Sequence, residues 1–204
     1  HIEHKVEPLP AGGVALVFTV VENDRVADVR LAGVKSEDAK VLQEALRIKA
    51  GDYYDAAKVK RDVETLRDIY REKGYHFVDV EALPPEPAPD GVAVRYSVAE
   101  GPKVVVADVR FTGPHTADDG VLQDQLRMGP PGWPMSWISS KAFIEREVRY
   151  DVERLRNWFR LEGWLDAEVA LADIEFSADK SEATVVFHVE EGPYQPDRGA
   201  AGRR

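Results

Sequence analysis

The residues that could carry chemistry are few and scattered. The histidines stand at 1, 4, 76, 115 and 188, and none falls into an H-E-x-x-H or comparable metal-ligand spacing. His1 and His4 are close enough to chelate an ion near a terminus, but the pair reads as incidental. His76 opens a run that alternates like a strand, and His188 sits on the polar phase of another, so both are expected in solvent. Cysteine is absent, which removes thiol nucleophiles, disulfides and thiolate metal sites. There is no G-x-S-x-G, no phosphate-cradling glycine loop and no G-x-G-x-x-G. The 37 Asp and Glu residues fall, by periodicity, on the solvent phase of helices and strands. Asp62, beside Lys58, Arg61 and Arg67 on one helix, is expected to be a solvated member of i,i+4 pairing. The chain therefore reads as no enzyme, with no cofactor and no metal ligands. Its function is to be sought in surfaces.

Composition narrows those surfaces. The chain has 204 residues, 44% hydrophobic and 31% charged, with a net charge of -10 and a pI of about 5.0. That length builds one medium domain or two small ones. So acidic a chain lacks the basic face that nucleic acid or anionic lipid requires. No apolar run approaches the ~20 residues that span a bilayer as a helix. No leader pattern is visible, and the opening "HIEH" reads as part of a cut element, so the chain is expected to be a slice of a longer protein.

The surfaces are set by a repeat. "ADVRLAG" at 27–33 returns 80 residues on as "ADVRFTG" at 107–113. The same offset carries Val41, Leu42, Leu46 and Ile48 onto Val121, Leu122, Leu126 and Met128. The offset then grows to 89, carrying Val59, Val63, Leu66 and Tyr70 onto Val148, Val152, Leu155 and Phe159, and "RDVETLR" (61–67) onto "YDVERLR" (150–156). Glu100-Gly101-Pro102 returns as Glu191-Gly192-Pro193. Two copies of one unit follow each other, the second with nine residues inserted before its long helix.

Each copy parses alike. A short strand, with Ala27, Val29 and Leu31 alternating with Asp28 and Arg30, ends at Gly33 or Gly113. A short helix follows, with Ser36 or Thr116 as its expected N-cap. The longer helix starts at Asp55 in the first copy, and Val59, Val63, Leu66 and Tyr70 make one apolar stripe. Gly74 and Gly163 are expected to stop it in the left-handed conformation, with Tyr75 and Trp164 folding back onto its end. Two strands close the unit. In the first copy Val78 and Val80 alternate with Asp79 and Glu81, 84–91 reads as a proline-rich turn, and Val92, Val94, Tyr96 and Val98 follow. In the second, Ala167, Val169 and Leu171 pair with Val185, Phe187 and Val189 across 177–182.

The expected class is α+β, with tandem β-α-α-β-β units, each a three-stranded mixed sheet with two helices packed on one face. Residues 1–21 read as the closing hairpin of a preceding unit, 22–100 and 101–192 as complete units, and 193–204 as a tail or the start of another. Val104 and Val106 fall on the polar phase of their strand and are expected to pack against the neighbouring unit.

Three stretches carry a resemblance: Tyr70-Arg71-Glu72-Lys73-Gly74-Tyr75, Glu100-Gly101-Pro102-Lys103, and "AGDYYDAAKVKRDVETLR" at 50–67. Together with the repeat length and element order, they are similar to the POTRA (polypeptide-transport-associated) family over about 22–192. The second copy departs from the pattern at its insert and in "RLEGW" for "REKGY". The resemblance implies a periplasmic arm preceding an outer-membrane β-barrel in the same full-length chain, of BamA type or a TamA-like relative. That arm would receive unfolded outer-membrane proteins and dock accessory lipoproteins. The alternatives are the arm of a two-partner secretion or import pore, and a passive spacer with no client contact.

Such a unit would act through the edge of its sheet. An edge strand offers unpaired N–H and C=O groups to an extended chain. In this family the closing strand lies inside the sheet, which leaves the strand before it at the edge. The candidate client-binding residues are Phe77, Val78, Asp79, Val80 and Glu81, and Ala167, Glu168, Val169 and Leu171. The groove between that strand and the long helix is a second candidate. The acids Asp79, Glu81, Asp166 and Glu168 could instead discourage promiscuous pairing. Trp133, Met135 and Trp137 of the insert are either a partner-binding anchor or a cover for the second long helix. Glu100, Gly101 and Pro102 are expected to form a restrained hinge, since proline fixes one dihedral.

Overall fold

The computed structural model describes residues 2–8, 14–20, 24–128 and 141–195, the first two stretches by their backbone alone. β1 (Ile2–Pro8) and β2 (Val14–Val20) pair antiparallel, from Ile2↔Val20 to Pro8↔Val14. One order of elements then occurs twice. β3 (Val26–Ala32), α1 (Ala39–Ala45), α2 (Ala56–Glu72), β4 (Asp79–Ala88) and β5 (Gly91–Ala99) come first. β6 (Val105–Thr112), α3 (Asp119–Asp124), α4 (Glu145–Leu161), β7 (Glu168–Phe176) and β8 (Glu182–Glu190) follow. Two compact units result, His1–Arg67 with Val80–Ala99, and Asp68–Asp79 with Glu100–Arg204.

Both three-stranded sheets place the last strand of the repeat in the middle. The first has the order β3-β5-β4, with β3 parallel to β5. The second has the order β6-β8-β7, with β8 parallel to β6 and antiparallel to β7. The central strands earn that place by composition: Val92, Val94, Tyr96 and Val98 are buried along β5, and Ala183, Val185, Phe187 and Val189 along β8.

In β6 the register to β8 shifts between Val106 and Asp108. Such a bulge adds one residue and changes the phase of the alternation. Val106 therefore returns to the interior, beside Val104, in the second unit's own core. The expectation that these two valines serve a neighbouring unit is corrected by that bulge.

The helices follow their stripes. Val59, Val63, Leu66 and Tyr70 are buried on α2, as are Val148, Leu155 and Phe159 on α4. The Asp55 carboxylate accepts from the N–H groups of Ala57 and Lys58 and caps α2. The short helices begin two residues later than expected: Asp38 and Asp118, not Ser36 and Thr116, accept from the N–H of Lys40 and of Gly120. α2 is followed by Gly74 at φ 94° and α4 by Gly163 at φ 99°. After Gly74 the Tyr75 N–H donates to the Tyr70 carbonyl, and the two rings meet edge to face at 5.7 Å.

One expectation about the first closing hairpin is overturned. Pro84, Pro85 and Pro87 are not a turn but part of β4, and the turn is Pro89-Asp90. Proline within a sheet is confined largely to edge strands, and β4 lies at the edge.

Candidate binding edges

Among the described residues β4 and β7 each have a ladder partner on one side. One row of backbone N–H and C=O groups on each strand is thereby turned away from its sheet. Asp79, Val80 and Glu81 lie on β4, and Glu168, Val169 and Leu171 on β7, while Phe77, Val78 and Ala167 precede the strands. The pleat divides their side chains. Asp79, Glu81 and Glu168 are exposed, and Val78, Val80, Ala167 and Val169 are buried. The buried side chains anchor the strands, so what Val80 and Val169 can offer is backbone. Phe77 is half-buried within the second unit, with the Lys180 ammonium 4.7 Å over its ring and the Phe176 ring 4.8 Å away.

An arginine of the long helix reaches each strand. Arg67 Nη2 donates to the Val80 carbonyl at 2.8 Å, and Arg156 Nη2 to the Val169 carbonyl at 2.8 Å. Each also pairs with a glutamate three residues earlier, Glu64 and Glu153. Neither was a candidate on sequence, although both hold the same place in "RDVETLR" and "YDVERLR". That shared place is the signal that could have found them.

Beside β7 lies a cleft of ≈ 600 Å³. Arg156 and Arg160 of α4, the run 165–170, and His188 and Glu190 of β8 line it. The cleft thus passes round the strand edge from the helix to the open face of the sheet. Its charge is mixed. Glu168 stands opposite Glu190 in the register. His188 Nε2 lies 3.2 Å from the Glu190 carboxylate, and Asp166 accepts from the Gln195 amide at 2.9 Å.

The frame behind the strands is held by buried carboxylates, which corrects the expectation that every acid is solvated. Asp62 is fully buried and accepts from the N–H groups of Arg47 at 2.7 Å and Ile48 at 3.1 Å, and from the Tyr96 hydroxyl at 3.2 Å. Burial, with the Asp62 charge added, pushes the Tyr96 hydroxyl pKa well up. Asp151 repeats the device, accepting from Arg127 and Met128 N–H at 2.9 Å each and pairing with Arg154. The segment after each short helix has two N–H groups turned inward, and an aspartate on the long helix satisfies both. Glu191 is also buried and accepts from the N–H of Thr116 and Ala117 and from the Thr116 hydroxyl. Burial raises its pKa, but these donors more than offset that and hold it below the usual carboxylate value.

His76 is not a solvated strand residue. It precedes β4, and its ring stacks on Phe176 at 5.0 Å and meets Phe77 and Phe143 edge-on at 5.0 and 5.1 Å. Burial lowers its pKa, against Glu145 and with Arg71. Of the expected hinge, Glu100 accepts from the Tyr70 hydroxyl at 2.9 Å and Gly101 has φ 68°. Trp133, Met135 and Trp137 lie outside the described residues. Among the described residues no group of three or more His, Cys, Asp or Glu is placed to hold a metal ion, and no helix is long and apolar enough to cross a membrane.

Comparison with known proteins puts this geometry in context. The family model POTRA, described as "Surface antigen variable number repeat", matches residues 25–101 and 104–192. The outer membrane protein assembly factor BamA of Neisseria meningitidis serogroup B is 23% identical over 182 residues, covering 87% of this chain and 23% of the relative. POTRA1-2 of the periplasmic domain of Omp85 from Anabaena matches with a TM-score of 0.51 at 17% identity, over 86% of this chain and 100% of that one. BamA from Haemophilus ducreyi lacking POTRA domains 1-3 matches with a TM-score of 0.53 at 17% identity, over 81% of this chain and 29% of that one. The two solved structures share the fold. The chain spans less than a quarter of the length of the relatives first matched by sequence.

Proposed function

Because the chain belongs to the POTRA family, we propose that it is part of the periplasmic arm of a BamA-type outer-membrane protein assembly factor, and that it holds extended segments of unfolded β-barrel proteins by strand addition. The observation that carries this reading is the pair of edge strands, their valines turned inward and one backbone row turned away from the sheet. A backbone ladder does not read sequence, which suits a receiver of many different clients. Those clients share one property, strands of alternating hydrophobicity. β7 has nine residues, about 30 Å at ~3.4 Å per residue, close to the ~9–11 residues of a membrane-spanning strand. Accessory lipoproteins and the β-barrel of the full-length protein complete the expected partners. The reading calls on no catalytic group, cofactor or metal, and the net charge of -10 argues against nucleic acid.

One observation favours the spacer instead. Arg67 and Arg156 already donate to a carbonyl of each edge strand. They take one acceptor per strand, and the rest of each row is not accounted for by them.

Fluorescence anisotropy with a labelled peptide copied from one barrel strand tests the proposal. Saturable binding is expected, with a scrambled, non-alternating peptide weaker by about tenfold, which is ~1.4 kcal/mol. Equal affinity for both peptides, or none at millimolar concentration, would return the chain to the spacer reading.

A further inference from the structure

The two edges are unequal, and the difference names the one that works; this inference rests on the strand-addition reading above. We propose that client strands add to β7, that β4 is closed to them beyond Leu83, and that β7 selects strands with a basic polar face. β4 carries Pro84, Pro85 and Pro87. Successive residues of a strand aim their N–H groups to alternate sides. Pro84 stands on one phase, and Pro85 and Pro87 on the other. Whichever phase faces outward, an incoming strand meets a missing donor there, and with Pro85 and Pro87 outward it meets two in succession. Only Asp79–Leu83 remains, and its Val80 carbonyl is held by Arg67.

β7 shares the arginine, since Arg156 holds its Val169 carbonyl, but contrasts in its donors and in the room beside it. Its nine residues Glu168–Phe176 include no proline, so each keeps its N–H. The register shift between Leu171 and Asp173 displaces a residue without removing a donor. The ≈ 600 Å³ cleft runs beside its first half and leaves room for another chain.

Charge specifies the occupant. Glu168 faces Glu190 in the register, and Asp173 is exposed further along, while Glu175 is already paired with Arg110. Like charges directly opposite are unfavourable, and a cation on an added strand relieves them. The fitting client segment is therefore an extended strand with Lys or Arg on its polar face and β-branched or aromatic residues on the face toward α4.

The test is an amide chemical-shift titration of the isotope-labelled chain with a Val/Tyr-Lys alternating peptide of nine residues, the length of β7. A Val/Tyr-Glu peptide of equal length is the comparison. The expected result is saturable shifts over 168–176 with 79–88 unmoved, and binding of the Glu peptide weaker by about tenfold. In the variant P84T/P85T/P87T a second set of shifts is expected over 79–88. Shifts centred on 79–83 in the native chain, or equal on both strands, would overturn the assignment to β7 and leave strand addition standing. Equal affinity for the two peptides would overturn the basic preference. No shift on either strand would overturn strand addition and this inference with it. If the triple variant does not fold, the native titration decides alone.

Discussion

Asp62 and Asp151 show what one side chain contributes to a binding frame without touching a ligand. Each closes the segment after a short helix by taking two backbone N–H groups. Asp151→Ala leaves the Met128 amide buried and unsatisfied, and the part-buried Arg127 amide without this acceptor, and is expected to cost about 3 kcal/mol in urea unfolding. Asp151→Asn, which keeps one acceptor oxygen, is expected to cost less. Glu191 adds a pH dependence. Its pKa is lower in the folded chain than in the unfolded one. Its contribution is therefore present above the ordinary carboxylate range, near pH ~4.3, and is lost as pH falls through the folded value. Glu191→Gln is expected to be less stable at neutral pH and to flatten the loss of stability as pH falls below the ordinary carboxylate range, as read from urea midpoints against pH. Asp62 was misread in the sequence because helical phase sees the neighbours Lys58 and Arg61 and not the inward N–H groups of a distant loop. Its recurrence as Asp151 was the available clue.

The elements were more legible than their details. The alternation in β5 and β8 and the stripe of α2 identify buried faces directly, and the glycine stops at 74 and 163 mark the helix ends. Gly74→Ala and Gly163→Ala test those stops. A Cβ at Gly74 would come within 2.8 Å of the Ala142 Cβ, and one at Gly163 within 2.9 Å of the Tyr194 ring. Each substitution is expected to lower stability by about 1–2 kcal/mol from the left-handed backbone alone, with a corresponding fall in Tm. Bulges are not legible in this way, because one inserted residue shifts a period of two without changing composition; Val106 was misplaced for that reason. The proline run of β4 was misplaced because proline marks turns and edge strands alike. Which of the two it marks depends on whether the chain has already found its ladder partner.

At the scale of the whole molecule, one frame is written twice and its two edges differ. Repetition fixes the fold class and the family, since the matched residues 25–101 and 104–192 are the two copies. It does not fix function, which the proposal above places where the copies diverge: prolines on β4, and a proline-free edge beside a cleft on β7. The acidic balance of -10 gives this arrangement a salt dependence. Binding of a lysine-bearing strand is expected to weaken between low salt and about 1 M, where the screening length falls to ~3 Å, whereas the backbone ladder is not screened. Peptide affinity measured across that range should therefore fall and then level off at a finite value.

The central claim is that a client joins the sheet through its backbone. The most direct measurement is of isotope-filtered nuclear Overhauser contacts between labelled chain and unlabelled alternating peptide. Hα and N–H contacts are expected from the peptide backbone to the backbone of residues 168–176, at the spacing of neighbouring strands, ~4.8 Å. Contacts confined to side chains of α4, or to any surface away from the two edge strands, would contradict it.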